Sequence, residues 1–255
     1  GSTKLEYLDA SVNNLRAPVS LKWPESKTMK HFDVSCNNFF NLDNIPSYPE
    51  LEFLAANHNK LSAVDLGKYP KLQTLKVQYN TNLSSLRTSV CPDLKYIDVT
   101  GTKLTALSLE QNEKLETLKA SLLALGSLDL TNLPELKDIT VEKSGLKDVD
   151  FSANTKLQRV DVAGNELTDI DFTNNPGLSY LDCSSNKLSA LDMAQLSKVD
   201  TLNCSINNIQ ELDLTKSQLL QNLNCSSNSI SALNLSASKA LRNLNCNDNK
   251  LDALS

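Results

Sequence analysis

The sequence predicts a solenoid, a fold of short stacked repeats, with mainly β structure and very little helix. A leucine recurs every 21 residues from Leu94 onward, and each repeat contains a stretch in which apolar and polar residues alternate. A fixed period of about 20 to 50 residues indicates a repeat architecture, and alternation with period two indicates a strand with one buried face. The repeats begin at Leu5, Met29, Leu51, Leu72, Leu94, Leu115, Leu136, Leu157, Leu178, Val199, Leu220 and Leu241.

Each repeat predicts a strand, a sharp turn and a return segment. Residues 178–191 read LSYLDCSSNKLSAL, which is the leucine-rich repeat frame L-x-x-L-x-L/C-x-x-N-x-L. Stacking places the strands in one parallel sheet on a concave face, about 4.8 Å apart. About ten residues remain for the return, too few for a useful helix. We therefore expect extended chain, 3₁₀ turns and a second short strand near L-x-x-L-D-L on the convex side.

The repeats fill nearly all of the 255 residues. We expect a single horseshoe-shaped leucine-rich repeat domain over residues 1–255, with about twelve units of 21–24 residues. Each unit packs mainly on its neighbours, and solenoids need polar caps at their ends. Because neither end supplies a cap, we expect a fragment of a longer protein. We also expect the chain to be a monomer.

Composition excludes several function classes. A net charge of −5 and a pI near 5.1 leave no basic footprint for nucleic acid. No apolar run approaches the ~18 residues of a membrane span, so we expect no direct membrane insertion. The two histidines, His31 and His58, form no recognisable catalytic constellation, and we expect no enzyme activity and no cofactor. A site formed by His31, Asp9 and Asp33 is a weak alternative.

Asparagine recurs where each strand ends. An amide donates and accepts hydrogen bonds at once, so we expect a structural ladder that satisfies the turn backbone. Thr102, Leu123 and Ser144 interrupt the column in repeats 5 to 7, where we expect local irregularity. The column consists of Asn13, Asn37, Asn59, Asn80, Asn165, Asn186, Asn207, Asn228 and Asn249.

Cysteine recurs at the inward strand position of the last units, as Cys183, Cys204, Cys225 and Cys246. Zinc needs four converging ligands, which a linear stack does not offer. Disulfides are allowed by distance but disfavoured, because the side chains point the same way. We favour buried Cys as a small hydrophobe, part of the structural ladder. Cys36 and Cys91 lie outside the column, and we expect free thiols there.

An aspartate column predicts exposed carboxylates or carboxylates that accept backbone N–H groups, because like charges about 5 Å apart repel. A calcium ladder is the alternative, since carboxylates suit calcium, but we expect no metal site. The column consists of Asp65, Asp129, Asp150, Asp171, Asp192 and Asp213.

The segments LDCSSNKLSALDM, LNCSINNIQELDL, LNCSSNSISALNL and LNCNDNKL, between residues 181 and 251, resemble the 21-residue cysteine-type repeats of bacterial surface proteins. Internalin J-like proteins are the family most similar to them. The resemblance implies a bacterial cell-surface or secreted protein that binds a partner with its concave sheet.

Outward strand positions predict the binding surface. Aromatic residues concentrate in repeats 1 to 5, and exposed aromatics are typical of binding hot spots. The alternative is that aromatics simply suit strands. The last three repeats present Asn, Ser and Thr at these positions, and we interpret them as scaffold. The candidate ligand-binding residues are Tyr7, Asp9, His31, Asp33, Phe53, Lys76, Tyr96 and Asp98.

These patterns predict a non-catalytic binding module that recognises a protein or carbohydrate partner in adhesion or host interaction. The alternative is a structural spacer in a larger surface protein whose ligand site lies elsewhere. An insertion over residues 17–30 contains the single tryptophan, Trp23, and we expect an irregular loop on the back side.

Overall fold

A computed structural model describes residues 2–16 and 22–255 of the chain. This part of the chain consists of short strands joined by turns and contains no helix, so it also holds none that could cross a membrane. The strands are β1 (Tyr7–Asp9), β2 (His31–Asp33), β3 (Phe53–Ala55), β4 (Ala63–Val64), β5 (Thr74–Lys76), β6 (Ser85–Leu86), β7 (Tyr96–Asp98), β8 (Thr117–Lys119), β9 (Asp138–Thr140), β10 (Arg159–Asp161), β11 (Tyr180–Asp182), β12 (Thr201–Asn203), β13 (Asn222–Asn224), β14 (Ala232–Leu233), β15 (Asn243–Asn245) and β16 (Ala253–Leu254).

The chain forms two compact units, Gly1–Leu125 and Gly126–Ser255. In the first unit, β1, β2, β3, β5, β7 and β8 pair in parallel in that order. In the second unit, β9, β10, β11, β12, β13 and β15 do the same. The predicted leucine-rich repeat solenoid is confirmed; a single continuous domain stays a prediction.

The core of each unit is a stack of apolar side chains from successive repeats. The middle residue of a strand points inward because side chains alternate across the sheet, and Phe32, Leu54, Leu75 and Ile97 are fully buried. Each such side chain stabilises the fold by roughly 1.5–3 kcal/mol through burial. The flanking strand residues therefore lie on the opposite face of the sheet from this core, in register from one repeat to the next.

The back of each unit is built from tight turns rather than helices. The N–H of Tyr69 donates to the Leu66 carbonyl at 2.9 Å, three residues earlier, and the same contact recurs in other repeats. Two short parallel pairs, β4 with β6 and β14 with β16, lie on the return segments. They match the second short strand that the sequence predicts near L-x-x-L-D-L.

Asparagine amides connect neighbouring turns of the chain. The Nδ2 of Asn186 donates to the carbonyls of Val162, Cys183 and Ser184 at 3.0, 3.1 and 3.1 Å. Its Oδ1 accepts from the N–H of Leu167 at 3.0 Å. One side chain thus satisfies backbone groups of two successive repeats. The same pattern recurs at Asn37, Asn59, Asn80, Asn165, Asn207, Asn228 and Asn249.

The interruption of this column coincides with the boundary between the compact units, which follows Leu125. The Oγ1 of Thr102 reaches only its own repeat, donating to the Val99 carbonyl at 2.8 Å. The side chain of Leu123 is apolar and buried. The side chains that replace asparagine here lack the amide with which the other repeats join neighbouring turns.

A second buried polar column on the back was not anticipated from the sequence. The Nδ2 of Asn154 donates to the carbonyls of Leu130 and Leu133 at 3.0 and 2.9 Å. The position recurs with the 21-residue period but changes residue type, which hid it. Its buried members include Tyr48, Tyr69, Cys91, Asn112, Asn154, Asn175, Ser217 and Ser238.

The cysteines of the inward column are free thiols in a stack. Cys183, Cys204 and Cys225 are fully buried, while Cys246 is half-buried. Burial raises the pKa of the Cys225 thiol to about 11. These side chains occupy the slot that Val and Ala fill in other repeats, which is the packing expected of a small hydrophobe.

The aspartate column closes turns on the exposed back of the repeats. The Oδ1 of Asp171 accepts from the Oγ1 and the N–H of Thr173 at 2.6 and 2.7 Å. These hydrogen bonds lower the pKa of Asp171, because they favour the charged form. Among the described residues, no three His, Cys, Asp or Glu side chains are grouped in a way that could hold a metal ion.

Trp23 anchors the insertion of the first repeat to the core. Its ring lies edge-on to Phe32, with centroids 5.1 Å apart, and 6.0 Å from Phe39. Residues 17–21 of the predicted back-side loop lie outside the described residues. Because Phe32 and Phe39 are buried, the contacts of Trp23 with them are packing contacts with the core.

Candidate binding surface

Three rings stack along the solvent-facing side of the first sheet. The centroids of Tyr7 and His31 are 4.2 Å apart with planes at 14°, and those of His31 and Phe53 are 4.1 Å apart at 5°. Parallel pairing puts these residues side by side on β1, β2 and β3. The stack therefore follows directly from the strand register.

A lysine extends the stack to the next aromatic residue. The ring position on β5 is taken by Thr74, but the Nζ of Lys76 lies 5.3 Å from the Phe53 centroid and 5.7 Å from that of Tyr96. Both distances are within the range of cation–π attraction. Tyr7, His31, Phe53, Lys76 and Tyr96 thus form one line, here called the ring ladder.

The inner rings of the ladder, His31 and Phe53, show their edges to solvent, because their neighbours cover their faces. Both faces of His31 are covered, one by Tyr7 and the other by Phe53. Tyr7 remains 58% exposed, and His31, Phe53 and Tyr96 are half-buried. Ring edges carry partial positive charge and favour acceptors or apolar surface.

His31 lies at the centre of the ladder in a partly desolvated position. Burial lowers its pKa, opposed by the nearby carboxylates of Asp33 and Asp9, while the charge of Lys76 adds to the lowering. The lowered pKa favours the neutral imidazole, and the stacked rings end at the Lys76 ammonium.

The three predicted aspartates beside the ladder have a structural contact. The Oδ1 of Asp9 and of Asp33 each accepts the N–H two residues later at 2.8 Å, and that of Asp98 does so at 3.0 Å. They cap the ends of their strands. The structure thus brings five predicted residues together in the ladder and holds Asp9, Asp33 and Asp98 alongside as caps.

Sequence reasoning missed a second exposed column, directly before the asparagine column. These residues have positive φ, including Val12 at 51° and Ile206 at 56°. This left-handed backbone costs a residue with a side chain about 1–2 kcal/mol. The column nevertheless holds apolar side chains that face solvent, and Val12 is 77% exposed. In the first unit this column adds a stacked pair, His58 and Tyr79, with centroids 4.6 Å apart. The fixed place of this column, directly before the asparagine of each repeat, is the signal that could have found it.

Charged side chains on β9 and β10 form a different arrangement in the second unit. The guanidinium of Arg159 lies 3.6 Å from the Tyr180 ring centroid and donates to Asp161 at 3.2 Å. Arg159 also lies 3.9 Å from Asp138. Its charge is therefore shared within the sheet face rather than presented alone.

Comparison with solved structures identifies the fold. The functional domain of InlJ from Listeria monocytogenes, which includes a cysteine ladder, matches with a TM-score of 0.79 and 26% identity, covering 90% of this chain and 51% of that one. YopM from Yersinia enterocolitica matches with a TM-score of 0.81 and 27% identity, covering 98% and 57%. A leucine-rich repeat protein of Leptospira interrogans matches with a TM-score of 0.83 and 20% identity, covering 90% and 63%.

These matches confirm the resemblance to internalin J-like repeats and the leucine-rich repeat fold. They support a protein-interaction module as the general class of the chain. No family model matches the chain, and no curated protein sequence matches it. The chain spans between 51% and 63% of the length of the three structures described above.

Proposed function

We propose that the chain is a non-catalytic binding module of a bacterial cell-surface or secreted protein, and that the ring ladder of its first unit recognises a protein partner. The observation that carries the proposal is the line of three stacked rings that Lys76 connects to Tyr96 on the solvent-facing side of the sheet. The similarity to internalins supports the surface location.

The geometry of the rings favours a protein over a glycan at this surface. A sugar stacks on the face of an aromatic ring, and the ladder keeps the faces of His31 and Phe53 occupied. Protein surfaces instead offer backbone carbonyls and apolar side chains, which suit ring edges. The ammonium of Lys76 adds a cation beside this strip, which complements an acidic side chain on the partner.

The same surface has the composition of a binding hot spot. Tyrosine and other aromatic side chains dominate such spots because they bury large areas with few rotatable bonds. The pair of His58 and Tyr79 lies five residues along the chain from the ladder position and widens the aromatic surface of the first unit.

Threonine substitution tests this proposal without unfolding the sheet. Thr74 and Thr117 occupy the ring position in other strands of the same unit, so Tyr7→Thr, Phe53→Thr and Tyr96→Thr together are compatible with the fold. Because hot-spot residues contribute about 2 kcal/mol or more each, we expect binding of the labelled protein to cultured epithelial cells to weaken at least about a hundredfold.

The matched control is Asp138→Thr, a change at the same register position on β9 in the second unit. We expect the control to keep cell binding. Removing cell-surface proteins with trypsin should abolish binding, while glycosidase treatment should not. Equal binding by the triple variant and the control would instead favour the spacer, and loss with glycosidase alone would refute a protein partner.

A further inference from the structure

A groove on the solvent-facing side of the second sheet has no role in the proposed protein site. It runs across β11, β12, β13 and β15, bounded by Tyr180 on one side and Arg242 on the other. Its volume is about 540 Å³, within the range of about 300–1,000 Å³ that small-ligand sites occupy. Three strand intervals separate its ends, about 14 Å at 4.8 Å each.

Asparagine side chains line the groove together with Leu202, Leu223 and Leu244, and two of the amides are only partly satisfied within the protein. The Oδ1 of Asn224 accepts from the N–H and Oγ of Ser226 at 3.2 and 2.8 Å, which fixes the orientation of the amide. Within the part of the chain that the structure describes, its Nδ2 has no hydrogen-bond partner. The same holds for Asn245, whose Oδ1 accepts from the N–H of Asn247 at 3.3 Å.

Further amides add acceptors to these donors. The Nδ2 of Asn243 donates to the Oδ1 of Asn222 at 2.6 Å, and the Oδ1 of Asn243 is left without a partner in residues 2–16 and 22–255. The scaffold interpretation of this asparagine-rich segment is therefore incomplete. The groove presents fixed donors and acceptors side by side, which is what groups that both donate and accept require.

Tyr180 presents an aromatic face that borders the open groove. Arg159 covers one side of its ring at 3.6 Å. On the other side the register neighbour is Thr201, whose small side chain lines the groove together with Tyr180. The negative ring face attracts C–H bonds that carry partial positive charge, such as those on one face of a pyranose.

Charges at the two ends complete the site. The Oδ2 of Asp182 accepts from the Nδ2 of Asn203 at 2.8 Å and marks the Tyr180 end as an acceptor. The exposed Arg242 lines the groove at the opposite end and adds guanidinium donors there. A carboxylate beside the ring, in a chain of net charge −5, disfavours nucleotides and other anions.

We propose that this groove binds a neutral oligosaccharide. Its hydroxyl groups donate to Asp182 and Asn243 and accept from Asn224, Asn245 and Arg242, while one sugar ring stacks on Tyr180. The site lies entirely in the second unit, and it does not rest on the protein-binding role of the ring ladder.

Titration calorimetry with a panel of purified hexasaccharides of glucose, xylose, mannose and N-acetylglucosamine tests the proposal. We expect at least one of them to bind and Tyr180→Thr to weaken it about tenfold or more. Tyr180→Phe keeps the ring face and should retain binding. Tyr96→Thr is the matched control in the first unit and should leave sugar binding unchanged.

Side-chain amide NMR resonances locate the ligand. Shifts of the Nδ2 groups of Asn224 and Asn245 on sugar addition would support the groove, and shifts confined to the first unit would overturn it. The proposal also fails if no sugar of the panel binds, if Tyr180→Thr binds equally well, or if mononucleotides bind in its place. None of these results depends on cell binding, so the two proposals fail separately.

Discussion

Asp161 illustrates how the burial of a single carboxyl group lowers the stability of the fold. Its carboxyl group is buried on β10, next to Asp182 on the neighbouring strand. Burial, followed by the charges of Asp182 and Glu142, raises the pKa of Asp161 to about 6, although Arg159 opposes the shift. A carboxylate at this position is therefore ionised at pH 7 at the expense of stability.

We expect Asp161→Asn to stabilise the protein at pH 7 by about 1–3 kcal/mol, following 1.36 kcal/mol per pKa unit. The raised pKa means that the folded state holds a proton that the unfolded state loses, so stability falls as pH rises from about 4 to 6. Asparagine already occupies this column at Asn203 and Asn224. Urea unfolding between pH 4 and pH 7 measures the effect, which should vanish near pH 4.

Asp171→Asn is the control with the opposite sign. The pKa of Asp171 is lowered by its hydrogen bonds to Thr173, so its contribution is present above the unfolded pKa and is lost as pH falls through the folded one. That variant should lose stability at pH 7. A gain by Asp161→Asn that is equal at all pH values would contradict the electrostatic explanation.

At the scale of the strand and turn, the asparagine column holds successive repeats together. We expect Asn186→Ala to lower the free energy of unfolding by about 3–5 kcal/mol, because it orphans three carbonyls and the N–H of Leu167. Asn174→Ala, which removes one exposed contact to Ser152 at 3.3 Å, should change it by less than about 0.5 kcal/mol. Equal losses in both variants, measured by denaturant unfolding, would refute the ladder's role.

Columns of constant residue type could be predicted from the sequence, because the 21-residue period aligns them. The strands, the inward cysteines and the outward positions of Tyr7, His31 and Phe53 all follow from it. The back column that includes Asn154 and the positive-φ column that includes Tyr79 change residue type from repeat to repeat, so periodicity alone did not reveal them.

The functional difference between two tyrosines depends on their neighbours in space. Tyr96 and Tyr180 occupy the same repeat position. Each has a threonine on the next strand, Thr117 or Thr201. On the preceding side, Lys76 joins Tyr96 to the stacked rings, whereas Arg159 covers Tyr180. The partner of each ring is set by the side chain one strand away, which the pattern of a single repeat does not specify.

At the scale of the whole molecule, repeat proteins gain stability from contacts between adjacent repeats, so opening can be local. The buried thiols report on such opening in each compact unit. Cys91 lies in the first unit and Cys204 in the second, both fully buried, while Cys36 is exposed. In the native protein we expect an alkylating reagent to label Cys36 at once and the buried thiols only as their surroundings open.

Asn186→Ala then tests whether the two units open independently. If the substitution raises the free energy of the folded second unit by about 3 kcal/mol, labelling of Cys204 should accelerate by about a hundredfold, as measured by mass spectrometry of quenched samples. Cys91 should keep its wild-type rate, because none of its contacts involves the substituted turn. Equal acceleration of Cys91 and Cys204 would show one cooperative domain over residues 1–255, as the sequence predicts, and would contradict independent opening of the units.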